Sequence, residues 1–282
     1  MYVGMLKSSL INGVRVVTLV VRFPRIILAE LNTHRVFSRN YQSSRAKPIE
    51  KVIQEDLTYN PTYYGWRKAS KGMSPTEFFD EKTSYELGTI WHESKCRAIE
   101  TAQKLSQAGV AKEIVNRVLE PYMEITGIIT STEWNNFFNL RCAESAQIEI
   151  RELAKEMKRV IESETPIERD YHLPYIEDSN CFSREYLIQQ IKQSVARCAR
   201  VSYFSFDKKE STVEKDIELY NRLFESKHLS PFEHVVMNYE TSRFLFEKDS
   251  LYWRVMCSQE RSGNFSKGVS QLRKLLELGV EI

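Results

Sequence analysis

The stretch from Val14 to Leu28, Val-Arg-Val-Val-Thr-Leu-Val-Val-Arg-Phe-Pro-Arg-Ile-Ile-Leu, is dense in Val, Ile and Leu and is broken once, by Pro24. A run of that composition reads as a buried β-strand, so the chain must build a sheet and cover it. Beyond it the character reverses. Residues Thr33 to Arg45 place three arginines, one histidine, three serines and two amides within thirteen positions. Serine hydroxyls and backbone N–H groups can surround a phosphate while arginine supplies bidentate charge. A solvated basic loop has the same composition, and the cluster alone does not choose between the two.

Helical patterns dominate the middle of the chain. Charged residues alternate with Ile, Ala, Val and Leu at helical spacing from Trp91 to Leu105 and from Val110 to Val118. The clearest helix is predicted over Asn136–Ile161, where Phe137, Leu140, Ile150, Leu153, Ala154, Met157 and Ile161 recur at spacings of three and four. On one such helix Arg141, Ser145 and Gln147 lie within two turns and can face one cleft; they can equally form a solvated face. Asp216–Lys227 reads as an amphipathic helix and Val235–Tyr239 as a strand. Between Tyr59 and Ser84, Pro61, Gly65, Gly72 and Pro75 are interspersed with Tyr63, Tyr64 and Trp66, the pattern of an ordered loop or lid. Tyr171 to Tyr175 is an aromatic turn.

With 282 residues, 42% of them hydrophobic, the chain can bury a sizeable core as one large or two modest domains. Forty basic against 38 acidic residues leave a net charge of +2, so there is no general polyanion footprint and duplex nucleic acid is not an expected partner. Small anionic ligands remain open. Cys96, Cys142, Cys181, Cys198 and Cys257 are odd in number and irregularly spaced, which argues for reduced thiols and a cytoplasmic compartment. No apolar run approaches the roughly 18 residues of a membrane span, and no secretory pattern opens the chain. No cluster of histidines and cysteines has the full ligand spacing of a zinc site, so no metal is expected. Ten glycines without Gly-x-Gly-x-x-Gly or a Walker loop argue against a Rossmann domain or an NTPase. No elbow motif supports a Ser or Cys hydrolase.

The basic segment resembles the signature of flavin-dependent thymidylate synthases, the ThyX family, which reads Arg-His-Arg, seven residues, then Ser with Gly-Arg-Tyr following. His34 and Arg35 stand in the second and third places, and Ser43 falls on the serine. Pro24 stands where the family has a strand proline ten residues before the histidine. Thr33, Glu30 and Tyr41 depart, replacing Arg, Gln and Glu. A second block, Arg117-Val118-Leu119-Glu120-Pro121 with Thr126, is similar to the family's Arg-x-x-Leu-Pro, with Glu120 departing. Asn139-Leu140-Arg141 and Ala146-Gln147-Ile148-Glu149-Ile150-Arg151 continue it in family order. A third block, Ala199-Arg200-Val201-Ser202 and His228-Leu229-Ser230-Pro231-Phe232-Glu233-His234, resembles segments that precede the signature in ordinary members, so the chain reads as circularly permuted. A degenerate second signature follows, Gln259 to Ser266 with Arg254, keeping Glu260, Ser262 and Gly263. On this reading residues 1–175 form one part, 176–190 a join and 191–282 the other part.

The resemblance implies an α/β (α+β) fold, a central antiparallel sheet packed with long helices, in homotetramers with sites at subunit interfaces. It implies reductive methylation of dUMP to dTMP, with FAD as cofactor and with NADPH and methylenetetrahydrofolate as co-substrates. Ser43, Ser44, Arg45 and Arg117 would hold the nucleotide phosphate, with Glu30 at the pyrimidine edge. His34, Asn139, Arg141, Ser145, Ser202, His228, Ser230 and Glu233 would contact flavin. His34, Arg35 and Arg151 would form the catalytic set. His34 as a satisfied turn histidine and Glu233 as an ordinary surface carboxylate are the plain structural alternatives. Two other functions stay open. Thr33, Glu30 and Tyr41 allow flavin- and folate-dependent modification of another pyrimidine nucleotide, such as hydroxymethylation, because a carboxylate at position 30 accepts from an amino edge. Degenerate signatures at both ends allow a non-catalytic nucleotide- or flavin-binding subunit.

Overall fold

A computed structural model describes residues 1–43, 45–71, 77–178, 183–201, 211–246 and 258–280. Its strands are β1 (Tyr2–Ile11), β2 (Val14–Pro24), β3 (Ser38–Tyr41), β4 (Glu124–Ser131), β5 (Ile167–Glu168), β6 (Tyr171–His172), β7 (Val236–Met237) and β8 (Ser270–Gln271). The helices are α1 (Leu28–Leu31), α2 (Ile49–Glu55), α3 (Glu81–Gln107), α4 (Lys112–Val115), α5 (Asn135–Arg141), α6 (Ile148–Ser163), α7 (Arg184–Arg200), α8 (Val213–Glu225), α9 (Tyr239–Phe246) and α10 (Leu272–Glu277). The fold is mixed α/β. A five-stranded sheet runs β3-β4-β2-β1-β5, antiparallel except for the short parallel pair of β1 with β5. A three-stranded antiparallel sheet, β6-β7-β8, takes one strand from before the expected join and two from after it.

The β1–β2 hairpin closes through Asn12 and Gly13, both at positive φ (49° and 76°), the geometry a two-residue turn needs to match strand twist. β2 is buried on both faces. Val17, Leu19, Val21 and Phe23 join Ile125 and Ile129 of β4 beneath α5 and α6, which contribute Phe137, Phe138, Ile150, Leu153 and Met157. The opposite face carries Val16 and Val20, which meet Val236, Phe265, Cys198 and Val201 from the later part of the chain. That face is also polar in places: Ser9, Thr18, Ser38, Asn40 and Thr130 are all buried on the sheet. A third core joins α2, α3 and the 3-10 segment Asn116–Tyr122 through Val52, Ala102, Leu119 and Tyr122.

Several local expectations need correction. The strand expected to reach Leu28 ends at Pro24, and a 3-10 turn, Arg25–Ile27, leads into α1; proline offers no N–H to carry the ladder on. The strand expected over Val235–Tyr239 is two residues long because Tyr239 already opens α9. The single helix expected over Asn136–Ile161 is two. Ala146 is buried, a turn from Ala143 O to Ala146 N draws the chain inward, and Gln147 takes ψ 139° before α6 begins. Leu140, expected on the apolar face, is 54% exposed. The loop after Tyr59 forms a 3-10 turn, Pro61–Tyr64, and an isolated bridge from Arg67 to Phe78. No helix among the described residues is long and apolar enough to cross a membrane.

Candidate active site

Gly127 of β4 lies opposite Tyr41 of β3, and a Cβ there would meet Asn40 O at 2.8 Å and the Tyr41 ring. Glycine therefore lets β3 lie close against β4, and β3 then delivers Gln42, Ser43 and Arg45 to the surface. Gln42 N donates to Thr126 O at 2.8 Å. The turn behind Ser43 is tied down by a buried ion pair: Lys47 Nζ donates to both Asp56 oxygens at 2.8 and 2.9 Å. Glu55 lies 2.9 Å from the same ammonium, and Gln42 Nε2 reaches Asp56 at 3.4 Å. Burial pushes the Asp56 carboxyl above the usual carboxylate range, although Lys47 pulls against it.

Ser43 and Arg45 border two clefts. One, of about 660 Å³, is walled by Asn40, Ser43 and Arg45 on one side and by Arg200, Arg222, His228 and Pro231 on the other. Among the described residues, none lining it carries a carboxylate. Arg200 is aimed by Asp216, fully buried behind it, whose Oδ1 accepts from Arg200 Nε at 3.1 Å. The second cleft, of about 470 Å³, adds Arg25, Tyr41, Glu113 and Arg117 to Ser43 and Arg45. There Arg25 and Arg117 share Glu120, at 2.8 and 3.8 Å. The three guanidinium groups of Arg25, Arg45 and Arg117 thus outnumber the carboxylates of Glu113 and Glu120, leaving the second cleft positive as well.

His34, Arg141 and Glu30 form a separate cluster that lines neither cleft. Arg141 Nε donates to His34 Nε2 at 3.1 Å and Arg141 Nη1 to Glu30 Oε2 at 3.4 Å. The His34 ring meets Phe137 edge-on, with centroids 4.8 Å apart. Burial first, and then Arg141 and Arg39, lower the His34 pKa below the ordinary histidine value. The neutral imidazole that results accepts at Nε2 and so carries its proton on Nδ1.

The remaining expected residues scatter. Arg35 and Asn139 are exposed. Arg151, at the start of α6, donates to Glu144 O at 3.3 Å and approaches Glu152 at 3.4 Å. Arg141, Ser145 and Gln147 do not share one helix: Arg141 ends α5, Ser145 lies in the turn and Gln147 caps α6. Ser230 Oγ lies 3.5 Å from His228 Nε2. The Glu233 carboxylate is held by Arg273, and its backbone carbonyl accepts from Gln271 Nε2 at 3.1 Å. Ser44, Ser202 and Arg254 lie outside the described residues.

The second signature copy is packed against the first. Ser262 is buried and donates to Val269 O at 2.8 Å, and Gly263, at φ 60°, lies against Gln271. Asn264 Nδ2 donates to Ser38 Oγ at 3.2 Å, and Glu260 approaches Lys274 at 3.6 Å. Arg25, Arg200, Arg222, Lys47 and Asp56 escaped the sequence reading as site residues. Only Arg200 carried a signal, as a member of the Ala-Arg-Val-Ser block.

A UMP/dUMP methylase, PolB from Streptomyces cacaoi, bound with 5-Br dUMP superposes with a TM-score of 0.46 at 21% identity, covering 53% of this chain and 66% of that one. Its 5-Br UMP complex gives 0.47 at 18%, covering 57% and 88%. The flavin-dependent thymidylate synthase of Wolinella succinogenes is 28% identical over 142 residues, which span 50% of this chain and 63% of that protein. The sequence model of the family described as "Thymidylate synthase complementing protein" matches residues 7–167 and 186–269, the second stretch starting within the expected join. The chain belongs to that family.

Proposed function

We propose that the chain is a flavin-dependent methyltransferase that converts dUMP to dTMP. The observation that carries this reading is the 660 Å³ cleft, in which Ser43 and Arg45 of the first block face Arg200 and His228 of the third. Blocks far apart in sequence converge there, as a permuted family member requires. The nucleotide phosphate belongs in the cleft of Arg25, Arg45 and Arg117, where guanidinium groups position a phosphate without reading the base. The phosphates of FAD belong on the Arg200, Arg222 and His228 side, where none of the described lining residues carries a carboxylate. Methylenetetrahydrofolate would supply the carbon and NADPH the reducing equivalents, and flavin, held by these residues, would supply hydride chemistry, so no protein nucleophile is needed.

The residues then act by placement and electrostatics. Arg45 and Arg117 fix the nucleotide, while Ser43 donates a hydroxyl at the boundary of the two clefts. Neutral His34 presents Nδ1–H with its orientation set by Arg141. Arg35 and Arg151 belong to the catalytic set through the family pattern alone. The departure at Glu30, which opened the reading of an altered substrate, is occupied by Arg141, and this supports the dUMP reading over redirection to a cytosine nucleotide. A homotetramer in a cytoplasmic setting completes the proposal. The test is a visible spectrum of the purified protein followed by turnover. Bound flavin and dTMP formation dependent on dUMP, methylenetetrahydrofolate and NADPH are expected. A protein that stays colourless with added FAD and binds no dUMP refutes it.

A further inference from the structure

Five fully buried polar residues form a continuous row across the sheet: Ser9 on β1, Thr18 on β2, Thr130 on β4, His172 on β6 and His234 at the end of the 3-10 turn Ser230–His234. Ser9 Oγ lies 2.9 Å from His172 Nδ1, and His172 Nε2 lies 2.7 Å from Thr18 Oγ1. Thr18 Oγ1 lies 2.6 Å from Thr130 Oγ1, which lies 2.7 Å from His234 Nδ1. The outer nitrogen, His234 Nε2, is buried without a protein partner. Polar groups taken from water are costly unless every member is satisfied, so a row like this holds its elements in one arrangement.

The row ends beside the site. Thr130 is in register with Ser38, two residues before Asn40 of the cleft wall. His234 closes the turn Ser230–His234, whose Pro231, with His228 just before it, forms the opposite wall. We propose that Thr130 and His234, braced by Thr18, His172 and Ser9, are positioning residues that fix the distance between the Ser43–Arg45 wall and the His228–Pro231 wall. This rests on the proposed function only in identifying the ligand of the cleft.

Proton counting constrains the row further. Each hydroxyl has one proton to donate and each neutral imidazole one N–H. If Thr18 donates to Thr130, then His172 donates from Nε2, and Thr130 donates to His234 Nδ1, which leaves the His234 proton on Nε2. If Thr130 donates to Thr18, both histidines carry the proton on Nδ1 instead. The two imidazoles, on different elements, are therefore locked in the same tautomer.

The experiment compares full-length wild type with Thr130→Val, which keeps shape and removes the hydroxyl, and with Thr130→Ser, which restores it. Affinities for FAD and for inorganic pyrophosphate are measured well below the melting temperature, and histidine side chains are followed by nitrogen NMR without ligand. Thr130→Val is expected to weaken both ligands at least about fivefold, the scale of one lost hydrogen bond, with Thr130→Ser within about twofold of wild type. The His228 resonance should move in the valine variant and not in the serine variant. Wild-type affinity and an unmoved His228 in Thr130→Val, with only the melting temperature lowered, would overturn the proposal. Opposite tautomers at His172 and His234 would overturn it too. If Thr130→Val does not fold, Ser9→Ala serves: with its hydroxyl gone, a bare acceptor at His172 Nδ1 costs less than a bare N–H, which should set both rings in the Nε2–H form, and unequal forms refute the row. Pyrophosphate binding without FAD binding would count against the proposed function and leave this test intact.

Discussion

Replacing Lys47 by Met tests the anchor of the signature loop. The ammonium is 5% exposed and contacts Asp56, also 5% exposed, at 2.8 Å, with Glu55 beside it at 37%. Methionine fills the stem of lysine but leaves the Asp56 carboxylate buried with Arg22 as its other attractive charge. Breaking one partner out of such a pair costs about 3–5 kcal/mol, since the remaining charge stays desolvated. Asp56 has an escape. Its pKa is already raised by burial, and without Lys47 it rises further. A group with a raised folded pKa contributes stability that is fully present below its unfolded pKa and is lost as pH rises through the folded one. The deficit relative to wild type should therefore be largest near pH 8 and shrink as pH falls toward 5. Denaturant unfolding at both pH values is the assay, with Lys47→Met/Asp56→Asn recovering most of the loss. A deficit under about 1 kcal/mol at pH 8, or one that does not change between the two pH values, refutes the reasoning.

Arg45→Ala should weaken dUMP and dCMP alike, by about tenfold or more for a lost charge-assisted bond, whereas Glu30→Gln should leave their ratio unchanged because Glu30 is engaged by Arg141; calorimetric titration of both nucleotides decides. Arg141→Gln removes a positive charge that holds the His34 pKa down, so an NMR titration should find that pKa raised. Burial holds the His234 pKa down to about 3 and that of His172 well below the ordinary value. Depressed histidines contribute stability present above roughly pH 6.5 and lost as pH falls below it. Melting temperature should therefore drop on acidification from pH 7 to 4, and a flat profile would contradict the buried neutral row.

The β2 strand was legible because Val16 to Phe23 is largely apolar on both faces, and the meeting of Ser43 and Arg45 with His228 agrees with family-like blocks that stand in permuted order. The break between α5 and α6 was not legible. Phe137, Ile150 and Leu153 keep helical spacing across it, and nothing in Cys142 to Gln147 is a proline or glycine that would announce a turn. Arg222 was missed for a different reason: an arginine on an amphipathic helix looks like solvated surface until Arg45 is found across a cleft from it. Lys47 and Asp56 sit nine positions apart in sequence, a spacing that belongs to no regular element. The buried row was invisible because its members touch only through register, Thr18 opposite Thr130 and His172 opposite Val236.

The Asn12–Gly13 hairpin gives the molecule an order of assembly. β1 and β2 pair through neighbouring residues and can zip within microseconds. β4 joins β2 only by bringing Glu124 to Pro24, closing a loop of about a hundred residues at roughly 4 kcal/mol of chain entropy. The contact of Thr130 with His234 closes another loop of similar length. Early hairpin and late docking put the hairpin at the nucleus and the cleft at the end of the pathway. Substitutions at Val17 or Leu19 will slow folding, while those in the turn Ser230–His234 will mainly hasten unfolding.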